Sequence, residues 1–524
     1  LAVDPSDSYE KALDFLDRAV GARAPRALRE AFLANGHEAV AKLEDNSHVQ
    51  YQVRQLHPDY MTELPGSVLR GRAIEPKPFD GRLLGKALKL IRPPIPEFTV
   101  LGGMMVDRDD IGHLLNVGKS FKSFRYAMRI ILRHQMDRLL HGRGTRLVMG
   151  NALIGRLLLS LRERKVTIVN RCNVTALRTQ GEGETGKSVT GVVLEQDGVR
   201  REVVVRGGVV LASGGFNRHP KRRGEWLPGV SPDWCPAAPG HTGSAQDLAI
   251  AIGASYGATE LASDPAEDGK VLSHAFWAPV SIRKRADGSV AAFPHFVMDR
   301  GKPGMITVNQ RGERFVNEST SYHLFGLAMQ AADRHAPSIP AWLVCDAEAL
   351  ARYGLGMIRP GAKEGASIAP FLADGYLTQG RTVAELAAKM GADPAVLTAT
   401  IERFNAAAER GVDAEFQRGS TDYQRANGDA TRSAKNPCLG ALRTGPYYAI
   451  RLYPGDIGAA TGLRTDAAAR VLDQRGEPIA GLYACGNDMH SIMGGTYPAP
   501  GITIGPGLTF AYLAAQDAVA RSAT

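Results

Sequence analysis

Residues 208–215, GVVLASGG, form a short apolar run that ends in glycine, and residues 481–487, GLYACGN, repeat the arrangement near the far end of the chain. Such a run reads as a strand buried on both faces. Glycines directly after it let another backbone or a ligand come close. The stretch between them, about 275–455, differs in character: strand-like pieces (GMITVN, PAWLVCD), the helical block TVAELAAKMGADPAVLTATIERFNAAAERG, and a polar tract at 413–436. A β-rich part and a β–helix tail on either side of a mixed insert predict one discontinuous domain interrupted by a second. With 524 residues the chain has room for both.

Residues 1–45 and 110–165 read as helical, with the Pro- and Gly-rich segments ELPGSVLRGRAIEPKPFDGR and IRPPIPEF between them. The opening LAVDPSDSYEKALDFLDRAVG resembles the start of a helix within a domain, with Ser6 or Asp7 as N-cap. Strand pattern runs from 165 to 213, and GPGLTFAYLAAQDAVARSA closes the chain as a helix. No apolar run approaches the roughly 20 residues of a membrane-spanning helix. The five cysteines are scattered without metal, haem or disulfide spacing.

GEGETGKS (181–188) satisfies both the P-loop and the G-x-G-x-x-G patterns. Either motif requires a helix directly after it, its positive end facing the phosphate. The residues after Ser188 are instead strand-like VTGVVLE, a QDG turn and REVVVR, so the octet is expected at the tip of a β-hairpin.

The net charge of +9 is uneven: residues 118–146 carry eight Lys or Arg against one Asp. Phe121, Phe124, Met128, Ile131, Leu132 and Met136 recur there near helical spacing. The preferred reading is a surface helix with this stripe in the core. The alternative is contact with an anionic membrane surface. Nucleic acid is disfavoured, since no basic module with interleaved aromatics recurs.

The strongest functional signal lies in 481–510, GLYACGNDMHSIMGGTYPAPGITIGPGLTF. A buried strand delivers Gly-Asn, a glycine-rich loop, TYPAPG, and then a helix entered through GITIGP. The helix start offers free N–H groups and partial positive charge. These suit a group that becomes anionic, such as the N1/C2=O edge of a reduced flavin or a substrate enolate. The tail closely resembles the 3-ketosteroid Δ1-dehydrogenases, within the FAD-dependent fumarate reductase and succinate dehydrogenase flavoproteins. That family shows Gly-Leu-Tyr-Ala-Ala-Gly-Asn and Thr-Tyr-Pro-Gly-Pro-Gly-Ala-Thr-Ile-Gly-Pro. The resemblance extends to HPDYMTELPG and EPKPFDGRLLG (57–85), VVLASGGF (209–216) and ITVNQRGERFVNESTSYH (306–323), and covers nearly the whole chain.

The resemblance implies an α/β fold. Residues 1–274, with a helical insert at 86–140, and 456–524 would form a discontinuous Rossmann-like FAD-binding domain around an inserted α+β catalytic domain, 275–455. The strand–glycine–helix unit that holds the FAD pyrophosphate in the family is not recognisable here. The sequence is therefore expected to start about 60 to 70 residues into its domain, or to derive from a truncated gene. By resemblance the reaction removes a hydride and a proton from adjacent carbons beside a ring ketone. Tyr497 and the Gly501 N–H match the donor pair for the ketone, Tyr322 the tyrosine that removes the α-proton, and Tyr60 one that supports it. Gly214, Gly215, Gly486, Asn487, Gly501, Thr503 and Ile504 match FAD contacts, and Val174 a backbone contact to the adenine. A 3-ketosteroid-like substrate, an unidentified electron acceptor and a cytoplasmic location, with or without membrane association, complete the expectation.

Three alternatives stay open. A C4-dicarboxylate reductase needs an arginine that SIMGGTYPAPG lacks. Another cyclic ketone, such as an oxocyclohexane carboxylate, fits too, since Ala499 replaces a family glycine and 86–140 is longer than in compact members. A non-catalytic binding protein is the third.

Overall fold

The computed structural model describes residues 3–181, 188–257, 274–285, 287–297, 299–433 and 435–523. The chain divides into two compact units. One comprises Leu1–Pro5, His37–His57 and Arg70–Arg171; the other comprises Ser6–Gly36, Pro58–Leu69 and Cys172–Thr524.

The larger unit holds two sheets that share a core. In the first, strand Val209–Leu211 lies parallel to Pro478–Ala484, with Val209 opposite Leu482 and Leu211 opposite Ala484. Pro478–Ala484 is parallel in turn to Ser188–Gln196. The two glycine-ended runs are thus neighbours, and parallel pairing sends both glycine ends to one carboxyl edge, where open α/β sheets bind ligands. The helix Ile504–Ala523 covers this sheet, tied by the Tyr483 hydroxyl donating to Asp517 at 2.7 Å.

Asn173–Gln180, Ser188–Gln196 and Val199–Val204 form an antiparallel meander, with Gln180 opposite Ser188. Residues 182–187 of the glycine-rich octet lie outside the described residues, but the strands flanking them are those of a hairpin. The strand expected from Lys165 begins only at Asn173. Residues 166–170 are irregular, and Val166, Ile168 and Val169 are exposed, because no described strand offers them a ladder.

The second sheet runs Val290–Pro294, Ala275–Lys284, Tyr447–Ala459, Ala341–Asp346, Met305–Val308, all antiparallel, with Thr378–Gly380 beside Tyr447–Ala459. Alternation along Ala341–Asp346 divides its two faces. Leu343 and Cys345 pack with Phe325 and Met329 of helix Tyr322–Asp333. Trp342 and Val344 pack with Leu386, Leu397 and Phe404 of helices Val383–Met390 and Pro394–Arg410. Phe276, Ala278 and Tyr322 join Leu211, Leu482, Tyr483 and Phe510 in one core, which ties the two sheets together. Asp456 binds both Arg223 (2.7 Å) and Asn217 (2.8 Å), anchoring the chain just past the Val209–Leu211 strand.

The smaller unit contains the helices Arg108–Leu115, Phe121–His141 and Met149–Glu163 around a core that includes Phe79, Leu84, Leu88, Leu147 and Leu158. The expected helical insert at 86–140 falls within it. The apolar stripe of Phe121–His141, however, is not in the core. Ser123, Ala127, Ile130, His134 and Asp137 face inward, while Phe121, Phe124, Met128, Leu132 and Met136 are exposed and Ile131 is half-buried. Polar contacts hold the inward face: Asp137 accepts from the Thr145 N–H (3.0 Å) and hydroxyl (2.7 Å), and His113 pairs with the Ser123 hydroxyl (3.1 Å). Among the described residues no helix is long and apolar enough to cross a membrane.

Candidate active site

At the shared carboxyl edge, the backbone of Leu211 accepts from the Cys485 N–H at 3.0 Å. Beyond it, the buried Asp488 carboxylate accepts from the Ser213 N–H, from the Ser213 hydroxyl at 3.1 Å and from the Gly215 N–H at 3.0 Å. Gly215 has φ +88°, and a Cβ there would lie 2.7 Å from the Asn487 carbonyl and 2.8 Å from Ala459. Only glycine fits so strained and so crowded a position. Gly214, Gly215, Gly486 and Asn487, chosen from sequence, therefore converge. Val174 stands opposite Leu194 on the outer strand, and Ala480 opposite Ser188 places that end of the strand toward the same edge.

The helix Ile504–Ala523 starts against this edge. Gly501 has φ +80°, its carbonyl accepting from the Gly505 N–H at 2.8 Å, and the Thr503 carbonyl accepts from Gly507 at 3.0 Å. Phe276, Gly486, Asn487, His490, Ile502 and Thr503 line a cavity between strand loop and helix start. Cβ positions at Gly486 and Gly501 face open space. Both ring nitrogens of His490 are buried without a partner among the described residues. Burial lowers its pKa to about 4, so a neutral ring leaves one donor and one acceptor unmet. A flat group with hydrogen-bonding edges, as a flavin ring is, fits this lining.

Three tyrosines from distant segments meet beside the cavity. Tyr60 is fixed by its N–H donating to the Pro498 carbonyl at 2.7 Å, which docks the HPDY segment onto the TYPAPG loop. Tyr322 opens the helix Tyr322–Asp333, capped by the Ser321 hydroxyl accepting from Leu324 at 3.4 Å. Gly326 lets that helix lie against Trp277, where a Cβ would come within 2.6 Å. Tyr322 is thus a capped helix start that also meets the other two tyrosines. The Tyr60 and Tyr322 hydroxyls are 3.3 Å apart, and the Tyr497 ring lies 5.1 Å from Tyr322 and 5.7 Å from Tyr60. Gly501 shares the loop of Tyr497, four residues on.

Electrostatics keep these phenols protonated. Burial pushes Tyr322 well above its ordinary value, and its hydrogen bonds to Tyr497 and Tyr60 push the same way. Burial also raises Tyr60 well above its usual range, opposed by the bond to Tyr322. Tyr497 is raised by burial, with hydrogen bonds from Tyr322 and Thr503 opposing. His323 is neutral: burial takes it down to about 3, and its Nδ1 accepts from the Trp277 N–H at 3.2 Å.

Several neighbours carry no local sequence signal. Tyr423, 5.0 Å from the Tyr60 ring, comes from the polar tract at 413–436. Burial raises it, with Arg300 pulling the other way. Arg300 itself is fully buried, and its Nη2 has no partner among the described residues. Phe276 and Phe296 pack edge-on against Tyr497 and Tyr322 at 5.2 and 5.0 Å. Only Asp488 and His490, close behind the Gly-Asn turn, lie within reach of motif reading.

A family model described as FAD binding domain matches residues 1–504. The chain is 35% identical to the 4-oxocyclohex-2-ene-1-carboxylate 5-dehydrogenase of Sinomonas cyclohexanicum over 94% of its length and 80% of that protein's. It is 33% identical to the 3-oxosteroid 1-dehydrogenase of Mycolicibacterium smegmatis over 99% and 87%. A similar solved structure is 3-ketosteroid Δ1-dehydrogenase from Sterolibacterium denitrificans in complex with 1,4-androstadiene-3,17-dione: TM-score 0.87, 32% identity, 98% of this chain and 89% of that one. A flavocytochrome c3 fumarate reductase, with TM-score 0.59 and 17% identity over 99% of this chain and 68% of that one, shares the fold.

Proposed function

The chain belongs to the 3-ketosteroid Δ1-dehydrogenase family of FAD-binding flavoproteins, and from that premise we propose that it introduces a C=C bond beside a ring ketone, specifically by Δ1-dehydrogenation of a 3-ketosteroid. Gly214, Gly215, Gly486, Asn487, Gly501, Thr503 and Ile504 would hold the FAD, with Val174 as a backbone contact to the adenine and His490 meeting a polar edge of the ring. Bound flavin supplies the hydride acceptor. The Tyr497 hydroxyl and the Gly501 N–H donate to the ketone oxygen, where negative charge develops beside buried side chains rather than in bulk water. Tyr322 removes the α-proton. Tyr60, in contact with Tyr322, supports it as base. Residues 275–455 thus bring the base, and 456–524 the donors.

One observation carries this reading. Tyr60, Tyr322 and Tyr497 come from three separated segments, yet converge with a hydroxyl contact of 3.3 Å beside a cavity whose lining fits a flavin. The tract 491–501 has no arginine to clamp a dicarboxylate, which favours an uncharged ketone. A second reading rests on the relative at 35% identity, whose name specifies a small ring ketone bearing a carboxylate. The same donors and base would serve it.

The test is anaerobic mixing of the FAD-loaded protein with androst-4-ene-3,17-dione, 4-oxocyclohexanecarboxylate or succinate. Bleaching of the flavin absorbance by the steroid is expected. Bleaching by the carboxylated ring alone would move the substrate to the second reading. Bleaching by succinate alone would overturn ketone dehydrogenation.

A further inference from the structure

We propose that the helix Phe121–His141 docks the protein onto an anionic lipid surface, lying in the plane of the interface. Phe121, Phe124, Met128, Leu132 and Leu139 recur at spacings of 3, 4, 4 and 7, one stripe along the helix. The stripe faces solvent: Phe121 is 79%, Leu132 58% and Leu139 86% exposed, and neighbouring Leu140 is 71% exposed. The inward face carries Ser123, Ala127, Ile130, His134 and Asp137 and is held by the bonds of Asp137 to Thr145, of Ser123 to His113 and of His134 to the Leu101 carbonyl, so no rotation about the axis could bury the stripe without breaking those contacts. Large apolar side chains exposed in a row mark an interaction surface.

Charge selects the occupant. Residues 81–146 hold thirteen Lys or Arg against five Asp or Glu, a net +8 out of the chain's +9. Asp107 and Asp110 are taken by Arg146, at 3.1 and 2.6 Å. Asp137 is buried and already accepts twice from Thr145. Lys122, Arg125 and Arg129 flank the stripe, where their long stems can cover apolar surface while the charges reach headgroups. A second copy of this chain would set like charge against like, which disfavours a two-fold contact through this face. An anionic bilayer accepts both the stripe and the charge. The docking does not depend on the proposed chemistry.

The experiment is flotation of the full chain with phosphatidylcholine vesicles, with and without phosphatidylglycerol, at low and at high salt. The protein should float with the phosphatidylglycerol vesicles at low salt and hardly at all with phosphatidylcholine alone. Leu132→Ser/Leu139→Ser should lower its apparent vesicle affinity at least tenfold, and Arg125→Glu/Arg129→Glu should do the same. Circular dichroism checks that these exposed substitutions leave the fold intact. Equal flotation of Leu132→Ser/Leu139→Ser and the parent would overturn the proposal, reducing the effect to adsorption of a basic protein. So would a dimer in solution that the leucine substitutions dissociate, since a second copy would then own the face.

Discussion

Replacing the three site tyrosines by phenylalanine, one at a time, should give a graded response whose order is set by the geometry. Tyr497→Phe deletes the donor proposed for the developing oxyanion, an expected loss of about 10²–10³ in kcat, or ~2.7–4 kcal/mol. Tyr322→Phe removes the proposed base and should cost about 10²–10⁴. Tyr60→Phe loses one neutral contact at 3.3 Å, beyond the favourable range for two hydroxyls. Such a bond is worth about 0.5–1.5 kcal/mol, roughly two- to thirteenfold in rate. Because Tyr60 acts through Tyr322, the double variant should be no slower than Tyr322→Phe alone. The assay is dye-coupled turnover of a 3-ketosteroid together with anaerobic single-turnover flavin reduction. Flavin absorbance and thermal unfolding confirm that each variant is folded and loaded. The reasoning fails if Tyr60→Phe falls as far as Tyr322→Phe and the double variant falls further, for then Tyr60 acts on the substrate directly. It fails equally if Tyr497→Phe keeps more than a third of the parent rate.

The same geometry sets four further outcomes. Since Tyr322 is held well above its ordinary pKa, its proton-free form grows tenfold per pH unit, and log kcat/KM should rise with unit slope from about pH 7 to 10; a plateau below pH 8 would point to another base. Gly215→Ala forces a side chain into φ +88° and within 2.7 Å of the Asn487 carbonyl, so it should cost about 1–3 kcal/mol in unfolding free energy and reduce FAD retention; unchanged flavin content would contradict the role given to this edge. Glu318 is buried between Arg314 (2.7 Å) and Arg418 (3.2 Å), and Glu318→Gln should destabilise by about 3–5 kcal/mol in denaturant unfolding. Burial alone would raise the Glu318 carboxyl, but the two arginines outweigh it and hold it below its usual value; its stabilisation is complete above the unfolded pKa and is lost as pH falls through the depressed one, so the variant's deficit should shrink in acid. Lys187→Ala should leave flavin content and turnover unchanged, because the flanking strands pair antiparallel; a tenfold loss would revive the phosphate-loop reading.

Motif reading locates the site where chemistry is written in consecutive residues. The runs GVVLASGG and GLYACGN are parallel neighbours, and each is visible locally as an apolar strand that ends in glycine. Tyr322 and Tyr497 are legible through the segments that carry them. Tyr423 and Arg300 are not, because the place of Tyr423 beside Tyr60, and of Arg300 near Tyr423, is decided by how the second sheet folds back, and nothing within a few residues of either encodes that. The stripe of the basic helix lies opposite to expectation for a related reason. Periodicity states that one face is apolar but not which face turns inward. Here Thr145, arriving from the next segment, bonds Asp137 and decides the matter.

The burial that shapes this site works against its proposed base. Water exclusion would strengthen the hydrogen bonds proposed from Tyr497 and Gly501 to a ketone oxygen, but the same exclusion keeps the proton on Tyr322. A higher pKa also makes a phenolate a stronger base. The gain in strength, however, follows a fractional Brønsted slope, while the phenolate population falls by a full decade per pKa unit. Burial alone is therefore a net loss for the base. Two features of the larger unit pull the other way. In the 3.3 Å contact between Tyr60 and Tyr322 either hydroxyl can donate; if Tyr60 donates, it stabilises a phenolate on Tyr322. Arg300, whose Nη2 has no partner among the described residues, favours negative charge on Tyr423, whose ring touches Tyr60. Tyr497 can donate its own proton to a ketone while its oxygen still accepts from Tyr322, so ketone binding leaves the hold on the Tyr322 proton in place. Substrate binding would thus act on the carbon rather than on the base, acidifying the α-proton that Tyr322 is proposed to remove, which makes the first encounter with the ketone the step at which the site becomes reactive.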